Sequence, residues 1–360
     1  YSSLMGGHNN NIRSSIATLC GGQSNAIGPK AIGAFIGGGF NNRAAGTYNV
    51  IVGGKCNRAG ISTGAFIGSG QFNINSSAFS VIVGGSANRI SGAGATASFI
   101  GSGRQNQINK SDCVIAGGAF NKVYGVQSTI AGGFDNEIRP NGSRNTIVGG
   151  YRNIIDNGIG AFIGAGHYNK NYGSYSVVCG GRSNKISAVA NYAIITGGRS
   201  NYSVGENSQI SGGADNYVGN RLAGIWGGIA NNCSSAGSII MGGRNQLTPS
   251  GSNYVGLICG DGNRIDPDSG FSVIIGGKGH NITNSNHGII LAGSSNTTSG
   301  LNSAVIAGIC NTASGVRSVV ITGQYNSVNT DDSVIVTGRN QLIILTAESS
   351  AILAGHSNRN

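Results

Sequence analysis

The sequence predicts an all-β fold, and within that class a β-solenoid: a parallel β-roll of about 23 coils. Three observations carry this. Glycine supplies 65 of 360 residues, only 10% of residues are charged, and 4 are proline. A G-x-x-N motif or its close variant recurs 23 times, and no interval exceeds 18 residues. Val, Ile, Thr and Tyr are frequent, which favours strands. A helix interior would lose about 1 kcal/mol for each Gly relative to Ala. Collagen is excluded because proline is scarce and glycine has no three-residue period.

The repeat can be read position by position from its anchor, Asn88 in the segment SVIVGGSANRISG (residues 80–92). Anchors run from Asn10 to Asn358. Asn fills 20 of the 23; Gln246, His280 and Gln341 fill the others. A unit of 15–18 residues is too short for a helix pair or a propeller blade. It can hold a strand, a tight turn, a second short strand and a return. Each coil adds one strand to each sheet, about 4.8 Å along the axis, so 23 coils predict a rod roughly 105–110 Å long. Nothing in the pattern marks a linker, so residues 1–360 are expected to be one continuous repeat domain and part of a longer fibre.

The first strand ends six residues before the anchor on Ile, Leu or Val in every repeat, such as Ile36, Ile82 and Ile352. Eight before it stands Ser, Ala, Gly or Cys in 20 of 23 repeats; Asn49, Asn145 and Val255 depart. One large residue among small ones suits the inside of a thin coil. Three before the anchor Gly is invariant, which fits a corner needing positive φ or close backbone approach. The candidate corner residues include Gly85 with Asn88, Gly118 with Asn121, and Gly198 with Asn201. Asn tolerates left-handed geometry and bonds nearby backbone, and stacked Asn side chains are expected to form an amide ladder. Two residues after the anchor Ile, Val or Ala predominates.

The opposite face of the first strand is also apolar. Val81 and Val83 project there, as do Ile275 and Ile321. Phe35, Phe66, Phe99 and Phe162 occupy the same face, each followed two residues on by Gly. Monomers rarely expose patches beyond a few hundred Å². These eight residues are therefore the expected oligomer interface, and the Phe–Gly trade in volume reads as close packing against a sister chain.

The segments SVIVG (residues 80–84), SVVCG (residues 176–180), SVIIG (residues 272–276) and SVIV (residues 333–336) resemble the head repeats of trimeric autotransporter adhesins, the YadA-like β-roll. Similar repeats occur in phage and virus fibres. The resemblance spans essentially the whole chain. It implies a left-handed roll and a homotrimer; display on a virion, phage or cell surface, with a host-surface acidic glycan or receptor as partner, is a separate expectation.

Seven cysteines, at 20, 56, 113, 179, 233, 259 and 310, never fall at one register in neighbouring coils. Stacked disulfides are therefore not expected, and the cysteines read as buried thiols in place of Ser, Val or Ala. Secreted chains usually avoid unpaired thiols, which favours a particle assembled in reducing cytosol. The N-x-S/T matches are those expected by chance in an Asn-rich chain. No apolar run approaches the about 18 residues of a membrane span, so no membrane insertion is expected.

No cofactor or metal is expected, because no His/Cys/Asp set has ligand spacing. The close carboxylate pairs are Asp135/Glu137, Asp266/Asp268 and Asp331/Asp332. Glycan hydrolysis needs two carboxylates roughly 5–9.5 Å apart across the bond; Asp266 and Asp268 flank Pro267 and read as a solvated turn. Trp226 sits in the outward register and reads as packing. Lys and Arg outnumber Asp and Glu 23 to 12. Fifteen of these cations lie two before or one after the anchor, predicting a cationic stripe along the Gly–Asn edge. Lys55, Arg58, Arg104, Arg182, Lys185, Arg199 and Arg244 are its candidate polyanion contacts. Nucleic acid ranks last, because aromatics are not expected to interleave with the cations as a stacking platform would. Leu4 and Ile352 already fill the core register, so bare coil ends imply flanking segments or end-to-end stacking.

The expected function is a non-enzymatic structural fibre or adhesin. A self-polymerising filament and a glycan-cleaving tailspike are the alternatives. Ice binding ranks below these because Thr is scattered rather than arrayed.

Overall fold

The computed structural model describes residues 1–92, 94–344 and 349–360. They form two compact units, residues 1–181 and 182–360. Each unit is a parallel β-solenoid, and the chain makes about 23 turns with no helix among the described residues.

A coil holds two strands, each usually two residues long. In the coil of Asn88 these are Val81–Ile82 and Arg89–Ile90. Each pairs in parallel with its equivalent one repeat on: Val81 with Phe99 and Ile82 with Ile100, Arg89 with Gln107 and Ile90 with Ile108. The second unit repeats the scheme, Val319 pairing with Val334 and Thr312 with Ser327. Register is thus the repeat itself. The variation from 15 to 18 residues is absorbed in the return turns.

The core is thin. Ile82, Ile100 and Ile115 from the first strands meet Ile90, Ile108 and Val123 from the second, all fully buried. Each such side chain contributes roughly 1.5–3 kcal/mol. The small position before them is what lets two strands approach this closely. Its exceptions are accommodated: Asn49 donates to the Gly60 carbonyl at 2.6 Å and accepts from the Ala65 amide at 2.9 Å.

The corner glycine is required twice over. Gly85 has φ of 90°. A Cβ there would stand 2.2 Å from the Gly103 carbonyl oxygen of the next coil. Gly118 and Gly198 repeat this, with φ of 85° and 86°. Asn88 is fully buried; its Nδ2 donates to the Gly84 and Gly103 carbonyls, both at 2.9 Å. Its Oδ1 accepts from the Asn106 amide at 3.0 Å. Asn121 and Asn201 do the same in their coils. The expected ladder is present, but its main rungs join side chain to backbone. Direct amide–amide contacts, such as Asn106 to Asn88 at 3.2 Å, join only some coils. At two of the three anchors that are not Asn the fit suffers: Gln246 Oε1 and His280 Nε2 are buried without a partner, whereas Gln341 Oε1 still accepts from the Asn358 amide at 3.1 Å.

One expectation about the corner is corrected. The anchor Asn is not left-handed; the residue before it is, as at Ala87, Gln105 and Phe120. A second left-handed residue lies nine before the anchor, as at Phe79, Ala97 and Asp112. The reason is hydrogen-bond direction. Strand amides donate forward, Arg89 to the Asn106 carbonyl at 2.8 Å. A left-handed residue turns its amide the other way, so Ala87 donates back to Gln71 and Phe79 back to Thr63, at 2.9 and 3.0 Å. Each bond offsets part of the strain, on the order of 1–2 kcal/mol for a non-glycine residue.

Candidate functional site

Two surfaces follow from this coil: the outward face of the first strand and the Gly–Asn edge. On the face, Val81 and the rings of Phe35, Phe66 and Phe162 are half-buried by neighbouring coils. Val83, Phe99, Ile275 and Ile321 remain 37–47% exposed. Both units carry the face. The Phe–Gly pairing has a cause inside the chain. Phe35, Phe66 and Phe99 lay their Cε1 atoms 3.3–3.5 Å from where a Cβ on Gly37, Gly68 and Gly101 would stand. The same glycines' Cβ atoms would meet the next coil's carbonyl oxygen at 2.3–2.5 Å. Each ring therefore folds along its own strand and keeps the face level, so the trade in volume needs no sister chain to explain it.

In the second unit the trade runs the other way. Trp226 leans over Gly224, its Nε1 3.7 Å from the missing Cβ, and stays 54% exposed. Gly256 leaves a hollow of about 280 Å³ between Ile239, Met241, Tyr254 and Val273.

The Gly–Asn edge is not uniformly cationic. Of the candidate contacts, Arg199 meets Asp215 at 3.6 Å and Arg244 meets Asp261 at 3.0 Å. The Arg244 guanidinium holds the Asp261 carboxyl below its ordinary range. Lys185 lies 4.8 Å from the Tyr202 ring centroid, and Arg182 is exposed. Lys55, Arg58 and Arg104 are also exposed.

Aromatics do interleave with these cations, against expectation. Lys55 lies 6.0 Å over Phe40, Arg104 5.1 Å over Phe120, and Arg152 5.1 Å over Tyr151. From Phe120 a ladder continues through Phe134 to Tyr151, with centroids 5.1 and 5.5 Å apart. On the other corner Tyr254, Phe271 and His287 stack at 5.6 and 5.4 Å. These ladders follow from coil spacing: rings at one register, or at the adjoining one as with Phe120 and Phe134, are brought within contact in successive coils. Reading the registers nine, two and one before the anchor down the coils would have found them.

Four of the six paired carboxylates meet an arginine, and Asp331 accepts from the Val316 amide at 2.7 Å. Asp135 meets Arg152 at 2.9 Å, Glu137 meets Arg139 at 3.4 Å, Asp266 pairs with Arg264, and Asp332 meets Arg317 at 2.6 Å. Asp268 lines a separate hollow of about 300 Å³ beside Tyr254 and Phe271. Among the described residues no three His, Cys, Asp or Glu side chains come together as a metal site, and no helix is long and apolar enough to cross a membrane.

All seven cysteines are free, but only Cys113 and Cys233 are buried. Cys179 and Cys259 are exposed, and the others are half-buried, correcting the reading of buried thiols. Burial pushes the Cys233 thiol up to about 11.

The fold and these surfaces define a parallel β-solenoid of one repeated coil. No protein-family model matches the chain, and no curated protein matches it.

Proposed function

We propose that the chain is a non-enzymatic structural fibre protein whose copies associate side by side as a homotrimer and are displayed on a virion, phage or cell surface. One observation carries this: both units expose the same apolar columns along the first strand, at Val83, Phe99, Ile275 and Ile321 among others. Covering such a surface yields about 25 cal/mol per Å², and identical chains around an axis cover it with the fewest parts. The non-enzymatic reading is supported by the carboxylates at Asp135, Glu137, Asp266 and Asp332, each of which is engaged by an arginine.

The test is mass in solution by light scattering. Three protomers per particle are expected. Val83→Asp combined with Ile321→Asp should give single chains that keep the native circular dichroism. Cys179, exposed on the same face of a lone protomer, should resist thiol reagents in the wild type and react in the variant. A stable wild-type monomer refutes the proposal.

A further inference from the structure

The cations and the acids are segregated along the chain. Residues 1–111 contain no Asp or Glu and eight Lys or Arg; the first acid is Asp112. All eight cations are exposed. Every ion pair among the described residues falls between Asp135 and Asp332, as in Arg152–Asp135 and Arg317–Asp332. The basic edge is therefore two different surfaces. Beyond residue 111, fifteen cations share the chain with all twelve acids. Before it the charge has no internal counterpart.

We propose that this acid-free stretch is a docking edge for a linear anionic polysaccharide, bearing sulfate or carboxylate groups, seated on Arg43, Lys55, Arg58, Arg89 and Arg104. Arg43 and Arg58 are paired neighbours in adjacent coils, and Ile74 separates Arg58 from Arg89. Lys55 and Arg104 stand one register-group away at the same corner, on the other side of the left-handed residue. From the coil of Arg43 to that of Arg104 is four steps, or about 19 Å. Five cations over that span is one per roughly 5 Å, suited to a single-file polyanion. Duplex DNA presents one charge per about 1.7 Å. At the start of the edge Arg13 and Arg43, with Ala26 and Gly28 in the coil between them, line a hollow of about 320 Å³.

Ring placement decides between a glycan and a single-stranded nucleic acid. Base binding uses a series of open ring faces beside the charges. Here Phe40 is capped by Lys55 and Phe120 by Arg104. Phe72 is exposed, but Cys56 and Ala87, at its register in the adjacent coils, carry no ring. Among the described residues none of the five cations has an acid partner, while the rings beside them form no continuous series of open faces.

This inference deepens the adhesive side of the fibre reading and does not need the trimer, since a lone protomer carries the edge. Full-length protein is passed over an immobilised sulfated glycan, a polyuronate and uncharged dextran, at low salt and at 0.5 M salt. Binding to one or both anionic surfaces, lost in high salt, is expected; which one binds names the anion. The fourfold variant Arg43→Ala/Lys55→Ala/Arg58→Ala/Arg89→Ala should weaken binding at least about tenfold. A matched variant, Arg199→Ala/Arg244→Ala/Arg264→Ala/Arg317→Ala, removes the same charge from paired positions and should change it less than about twofold. Melting curves of both variants confirm folding. Equal loss in the two variants, equal binding to dextran, no binding at all, or tighter binding of single-stranded DNA than of either glycan each overturns the proposal. The Val83→Asp/Ile321→Asp protomer should still bind, which separates this result from failure of the trimer.

Discussion

Asn121→Asp should destabilise the first unit at neutral pH and recover part of the loss in acid. The two hydrogens of the wild-type Nδ2 serve the Gly117 and Gly133 carbonyls, both at 3.1 Å, with Asn106 Oδ1 as a shared contact at 3.2 Å. A carboxylate donates to none of them, and the site is fully buried. Asn106 Oδ1 still accepts from the Asn121 amide at 3.1 Å and the Gly133 carbonyl from the Ala119 amide at 3.0 Å. Only the Gly117 carbonyl is left unmatched, a loss of about 1–3 kcal/mol before the cost of burying the new charge is added. Burial and the facing oxygens disfavour the charged form, raising the new carboxyl above its unfolded value of about 3.9. A group with a raised folded pKa contributes its stability fully below the unfolded value. That stability is lost as pH climbs through the folded value. A protonated carboxyl restores one donor, so roughly 1–3 kcal/mol should return in acid. Asn121→Ala removes the same donors without a titrating group and should lose stability with no added pH dependence. Urea unfolding of the full chain at several pH values measures both, and hydrogen exchange at the Asn136 amide, which bonds Asn121 Oδ1 at 3.1 Å, reports the local opening. If Asn121→Asp is as stable as wild type at pH 7, or its pH profile matches that of Asn121→Ala, the account of the ladder is refuted.

Three further outcomes follow from the same geometry. Gly118→Ala should cost about 3–5 kcal/mol, because its Cβ would stand 2.2 Å from the Gly133 carbonyl oxygen at φ of 85°. The adjacent Gly117→Ala, whose Cβ meets nothing nearer than 3.8 Å, should fall within about 0.5 kcal/mol of wild type by denaturant midpoint. His280 is buried at an anchor position, and burial holds it below its ordinary value. Its Nδ1 accepts from the Asn296 amide at 3.1 Å, so the neutral ring is the one that fits. A depressed folded value means stability is present above the unfolded pKa of about 6.5 and lost as pH falls through the folded one. His280→Asn should flatten that acid-side loss in melting curves recorded from pH 7 to 4. Finally, Cys113 and Cys233 should resist a thiol reagent until the chain unfolds, since burial raises both thiols; Cys259 should react in the native state, and mass spectrometry of the labelled peptides distinguishes them.

The repeat, the all-β class, the inward Ile and the corner glycine are legible in the chain because each imposes one residue type at one register. Gly85 recurs as itself and Ile82 as Ile, Leu or Val, since the corner admits no Cβ and a thin coil admits one large apolar side chain. The anchor is legible in part: Asn88 reads as a corner residue, but the left-handed twist its chemistry suggests belongs to Ala87. The left-handed positions leave no signature because hydrogen bonds to the preceding coil hold them, whatever side chain they carry; Phe79, Ala87 and Asp112 share the conformation and no chemistry. The same holds for the surfaces. Sequence places Phe35 opposite the core, yet only the packed coil lays its ring over Gly37. Sequence puts Arg199 and Arg244 on a basic edge beside Arg58, and only their distances to Asp215 and Asp261 take them out of it. Residue type, repeated, determines what one coil must be. Which side chains meet between coils depends on stacking at about 4.8 Å, and that distance exists only once the chain has wound.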